Sequence, residues 1–82
     1  MTDEEVFAKI GEILQADFRV PAARITRDAT FRGTFGLDSL DAVDLIYLLS
    51  KAFSLKPKVE PFANLHTVQQ VTDYIVQQKS GA

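Results

Sequence analysis

The chain has 82 residues, with nine Lys or Arg against eleven Asp or Glu, a formal net charge of −2 and 46% hydrophobic residues. That suits one domain near the lower size at which a core sustains itself without staples, and the charge balance lacks the basic footprint of a nucleic-acid binder. With no cysteine there is no disulfide, thiolate metal site or cysteine nucleophile, and the lone His66 cannot build a histidine-rich metal centre.

Met1-Thr2-Asp3-Glu4-Glu5 is acidic, and no apolar h-region follows it, so no secretory signal is expected. No apolar run approaches the span of a bilayer. A soluble, cytoplasmic, monomeric domain without membrane insertion is therefore expected.

The first helix announces itself at once. Thr2 and Glu5 have capping-box spacing, acids fill the first turn, and Val6, Phe7, Ile10, Ile13 and Leu14 recur at helical intervals. The pattern predicts a helix over residues 3–16. Gly11 inside it costs about 1 kcal/mol against Ala, so it is expected to allow close packing against a neighbouring element. Residues 18–36 then read as a long irregular loop. Pro21 favours a short helical turn to Arg24, while Val20, Ile25, Phe31 and Phe35 are apolar anchors that can pin the loop across the helices.

At Gly36-Leu37-Asp38-Ser39-Leu40 the loop ends in two polar residues, and a second helix is predicted over 39–53. Leu45, Ile46, Leu49 and Phe53 have core spacing. Leu40, Val43 and Tyr47 make a second stripe, displaced around the cylinder, which is either further core or a face for a partner. Pro57 and Pro61 rule out a long helix over 54–65, leaving a short turn near 60–64 with Phe62 and Leu65 directed inward. Thr67 and Gln70 repeat the capping-box spacing and open a last helix over 67–78, with residues 79–82 expected as a frayed tail. The predicted fold is all-α: one domain over residues 1–82, a small antiparallel bundle of three main helices plus a short helix.

Intrinsic catalysis finds little support in these residues. Ser39 has no base nearby in sequence, and His66 falls just before the last helix. Asp38, Asp41 and Asp44 look like solvated helix surface rather than metal ligands, and no Gly-rich phosphate loop follows a strand. No catalytic residue and no metal site is expected. A serine ahead of an apolar helix is most often a cap. Its exposed hydroxyl would also suit a phosphodiester, which the positive end of the helix dipole favours.

The run Leu37-Asp38-Ser39-Leu40-Asp41-Ala42-Val43-Asp44-Leu45 resembles the Asp-Ser-Leu attachment motif and second helix of acyl carrier proteins. The resemblance extends over nearly the whole chain. Ile10-Gly11-Glu12 resembles that family's first helix and Thr30-Phe31 its loop anchor. Phe53 resembles the aromatic ending helix two, and Thr67-Val68 with Asp73-Tyr74-Ile75 resembles the last helix.

The resemblance implies that Ser39 Oγ carries 4′-phosphopantetheine, installed from coenzyme A by a phosphopantetheinyl transferase. The arm's thiol would hold an acyl cargo for acyl-loading, synthase or transferase enzymes, with the chain itself a carrier and not an enzyme. It also makes Asp38, Leu40, Asp41, Val43, Asp44 and Tyr47 the expected partner face. Leu45, Ile46, Leu49, Phe62 and Leu65 become candidates to line an acyl cavity.

One departure bears on the pathway. Fatty-acid carriers usually present acidic second and third helices. Here residues 39–53 hold Asp41 and Asp44 against Lys51, and residues 54–65 hold Lys56 and Lys58 against Glu60. A specialised carrier in polyketide, lipid-modification or unusual acyl or aminoacyl chemistry is expected. Housekeeping fatty-acid synthesis is the alternative, and an unmodified helical interaction module the alternative of another class.

Overall fold

The computed structural model describes residues 2–55 and 62–80. Within them lie three α-helices, α1 (Asp3–Phe18), α2 (Ser39–Ala52) and α3 (Val68–Ser80), with a 3₁₀ turn at Ala22–Arg24. The all-α bundle matches the expectation, and its extra short helix is this 3₁₀ turn after Pro21. The expected turn near residues 60–64 falls partly outside the described residues.

Local chemistry sets the helix ends. Thr2 Oγ1 accepts from Glu5 N, and a Glu5 carboxylate oxygen accepts from Thr2 N in return. Thr67 and Gln70 form the same reciprocal pair ahead of α3, where Gln70 Oε1 also accepts from His66 N. At their far ends α1 and α2 close through left-handed residues, Arg19 and Ser54, both at φ 56. After α2, Leu55 N reaches back to Ser50 O, the long bond of a Schellman-type ending.

The apolar faces meet in one core. α1 contributes Val6, Ile10, Ile13 and Leu14, and α2 contributes Leu45, Ile46 and Leu49, with Phe53 as its C-cap. Val68, Val71 and Ile75 come from α3 and its first turn. Each such side chain contributes roughly 1.5–3 kcal/mol on full burial. Gly11 is buried and faces Ile25, but a Cβ there would stand 3.8 Å from Ile25 Cγ2, an ordinary contact. The expected close approach is thus looser than the sequence suggests. Ser50 is buried among these helices with its hydroxyl unpartnered.

The long loop is held at both levels. Val20, Ala29, Phe31 and Leu37 are buried, while Ile25 and Phe35 pack half-buried against the core. Its backbone runs beside the start of α3, where Phe31 N donates to His66 O, and Val68 N and Gln69 N donate to Ala29 O and Arg27 O. One isolated antiparallel bridge, Thr30 to Thr67, marks this seam. Arg27 adds a second fastening. It pairs with Asp3, donates to Gln69 and lies 4.5 Å over the Phe7 ring.

α3 runs two residues beyond the predicted end, and Lys79 Nζ donates to Phe53 O at 2.8 Å. A lysine in a last turn is favoured by the helix dipole, and this one ties α3 to the end of α2. The tail expected over 79–82 therefore loses Lys79 and Ser80 to the helix, while residues 81–82 lie outside the described ones.

Candidate functional site

Gly36, at φ 68, turns the loop sharply, and the buried Leu37 anchors the turn. Asp38 then arrives as the N-cap of α2. Its carboxylate accepts from Asp41 N at 2.9 Å, and the Asp41 carboxylate accepts from Asp38 N. This reciprocal cap satisfies the groups that a lone serine would otherwise serve. Ser39 becomes the first helical residue, exposed, and its hydroxyl takes no part in capping.

The hydrogen bond at Ser39 Oγ comes instead from Arg32, whose Nη2 donates over 3.1 Å. His66 is exposed on the same side of the molecule, but its main chain bonds to Phe31 and Gln70 and no bond joins it to Ser39. Among the described residues, no His or carboxylate side chain is hydrogen-bonded to Ser39 Oγ, the pairing by which a base would activate it. Among the described residues, no three His, Asp or Glu side chains gather to hold a metal ion. Nor is any helix there long and apolar enough to cross a membrane.

Ser39 stands at the rim of a cleft of about 670 Å³ between α2, the long loop and the segment before α3. Leu45, Ile46, Leu49, Phe62 and Leu65 all line it, joined by Phe31, Ala42 and Val71. The lining is mostly apolar, with its polar side chains at Thr30, Arg32, Ser39 and His66.

On the outside of α2 the second stripe faces solvent. Leu40 is 78% exposed, Tyr47 59% and Val43 47%. The choice that periodicity left open is settled in favour of exposure. Asp38 and Asp44 are exposed beside them and Asp41 is half-buried. Val43 also borders the cleft, so it belongs to both surfaces.

Sequence reasoning missed Arg32. Periodicity says nothing about a loop residue seven positions from its partner. A usable signal existed, however, since Arg32 is the sole cation between Arg27 and Lys51, in a stretch that carries Asp38, Asp41 and Asp44.

The chain is similar to known proteins over most of its length. The family defined by a phosphopantetheine attachment site matches residues 8–75. An acyl carrier protein of Guillardia theta is 31% identical over 77 residues, covering 94% of this chain and 95% of its own. One from Rubrobacter xylanophilus is 35% identical over 80 residues, covering 98% and 99%. Among solved structures, an acyl carrier protein from Enterococcus faecalis superimposes with a TM-score of 0.76 at 27% identity, covering 94% of this chain and 98% of that one.

Proposed function

Because this chain belongs to the acyl carrier protein family and holds its phosphopantetheine attachment domain, we propose that Ser39 Oγ is the atom that receives 4′-phosphopantetheine. The chain then serves as a carrier between partner enzymes and catalyses no step itself. The observation that carries this reading is the cap at Asp38. By satisfying the helix start with Asp41, it leaves an exposed hydroxyl with no part in the cap, beside an apolar cleft.

The residues present fit the group. A phosphodiester on Ser39 would lie at a helix N-terminus, where first-turn N–H groups lack backbone acceptors and the dipole favours an anion. When bound, the arm supplies a terminal thiol, which the chain itself lacks, to hold an acyl group as a thioester. A flexible tether raises the local concentration of cargo at each partner's site. Leu45, Ile46, Leu49, Phe62 and Leu65, which line the cleft, would shield an apolar cargo from water.

Asp38, Leu40, Asp41, Val43, Asp44 and Tyr47 form the face offered to the transferase and to acyl-handling enzymes. An exposed apolar pair beside a large amphipathic aromatic suits an interface core, and the acids suit basic partner surfaces. The acidic character fades beyond Asp44, as Lys51, Lys56 and Lys58 follow. We therefore favour a cytoplasmic carrier with a dedicated partner set over one steered by general fatty-acid synthesis enzymes.

Intact-mass measurement after incubation with coenzyme A and a broad-specificity phosphopantetheinyl transferase tests the attachment. The native chain should gain one phosphopantetheinyl group and Ser39→Ala none. A native chain that gains nothing would instead be an unmodified helical interaction module. The partner assignment is tested by offering the loaded chain to purified fatty-acid elongation enzymes. Extension as fast as that of a strongly acidic carrier would overturn it.

A further inference from the structure

We propose that Arg32 is the positioning residue for the phosphodiester, holding the root of the arm against the mouth of the cleft. This inference rests on Ser39 as the attachment point and goes beyond it by assigning a partner to the phosphate.

The observation is the 3.1 Å hydrogen bond from Arg32 Nη2 to Ser39 Oγ, the oxygen that would become part of the phosphodiester. Arg32 has no carboxylate partner among the described residues, where the ion pairs are Lys9–Glu12 and Arg27–Asp3. A guanidinium carries five N–H donors in a planar fork, and among the described residues only the bond to Ser39 engages the side chain of Arg32. The charged side chains that follow around the start of α2 are all acids: Asp38, Asp41 and Asp44. An added phosphodiester would meet their repulsion, which Arg32 is placed to offset.

The position of Arg32 follows from the fold. Thr30 and Thr34 exchange side-chain to backbone bonds across it, from Thr34 N to Thr30 Oγ1 and from Thr30 N to Thr34 Oγ1. Arg32 O accepts from Gly36 N, and Phe31 N is pinned to His66 O. A Cβ on Gly33 would stand 2.6 Å from Thr30 Oγ1 and displace that hydroxyl from its bond with Thr34 N. The loop thus presents the guanidinium to Ser39 from a braced backbone.

Modification would replace a neutral acceptor with an anionic one beside the same donor. Charge-assisted bonds are shorter and roughly twice as strong as neutral ones, and the fork of arginine matches phosphate oxygens two at a time. Since Arg32 and Ser39 both border the cleft, a phosphate held between Arg32 and the helix start aims the arm across the cleft mouth.

Phosphorus NMR on the modified protein tests this. Native chain, Arg32→Gln and Arg32→Lys are each converted with coenzyme A and the transferase, and conversion is checked by intact mass. The native phosphorus signal should differ from that of Arg32→Gln at low ionic strength. It should move towards the variant's in about 1 M salt, where the screening length falls to about 3 Å. Arg32→Lys, with charge but no fork, should lie between them. Coincident native and Arg32→Gln signals at low salt overturn the clamp while leaving attachment intact. Absence of any mass gain on the native chain overturns the attachment reading itself. Should Arg32→Gln fail to fold, the side-chain Nε resonance of Arg32 in the native protein decides. It should shift on modification, and an unmoved resonance overturns the proposal.

Discussion

Asp38 caps α2 through Asp41, with its carboxylate 2.9 Å from Asp41 N and the Asp41 carboxylate returning the bond. Two neighbouring polar residues therefore divide the labour at the helix start. Asp38 and Ser39 should separate cleanly under mutation. Asp38→Ala should lower stability by about 1 kcal/mol, the ordinary worth of an N-cap. Ser39→Ala removes an exposed hydroxyl and should stay within about 0.5 kcal/mol of native while abolishing attachment. Urea unfolding together with intact mass reads both. A Ser39→Ala chain destabilised as much as Asp38→Ala would show that Ser39 shares the cap.

The two glycines around α1 and α2 should respond in opposite directions. Gly11 is helical, and an added methyl would meet Ile25 at an ordinary 3.8 Å. Gly11→Ala should therefore gain about 0.5–1 kcal/mol from helix propensity and reduced freedom of the unfolded chain. Gly36 stands at φ 68 with open space where a Cβ would go. Its replacement by Ala meets only backbone strain, costing about 1–2 kcal/mol. Thermal unfolding of the pair checks the signs, and two losses would mean that the Gly11 site cannot accept the methyl.

How much could be read beforehand depends on the range of the interaction. Helix signals are local. Thr2 with Glu5, Thr67 with Gln70, and the 3–4 spacing of Leu45, Ile46, Leu49 and Phe53 fixed three helices to within two residues. The family resemblance, not the spacing, named the five apolar residues now found along the cleft. What escaped was the loop. Arg32 meeting Ser39, Phe31 pairing with His66 and Arg27 bridging Asp3 to Gln69 are contacts between elements, with no period to betray them. The extension of α3 to Ser80 escaped for the same reason, since Lys79 finds its acceptor on Phe53, 26 residues earlier.

The two faces of α2 predict two kinds of mutant. Leu49 is 1% exposed, and Leu49→Ala should cost about 2–5 kcal/mol. Leu40 and Tyr47 are largely exposed, so Leu40→Ala and Tyr47→Ala should each change stability by less than about 0.5 kcal/mol. If the outer face meets partners, these two variants should slow modification or acyl transfer by about five- to thirty-fold, the equivalent of 1–2 kcal/mol. Transferase kinetics at fixed chain concentration would show it. Native rates for both variants would move the contact surface elsewhere.

The cap of α1 carries a pH signature. Thr2 N donates to the Glu5 carboxylate at 3.0 Å, and this bond, helped by the Thr2 side chain, holds Glu5 below its ordinary value of 4.5. A carboxyl with a lower pKa in the folded state contributes stability that is fully present above its unfolded value. That contribution is lost as pH falls through the folded value. The native chain should therefore lose stability relative to Glu5→Gln as pH drops below the ordinary value of 4.5, with a constant difference between them near neutrality. Urea unfolding of both proteins across that range, with a carbon NMR titration of the Glu5 carboxyl, measures the effect. A difference that does not change with pH would mean that the Thr2–Glu5 box forms equally well around a protonated carboxyl.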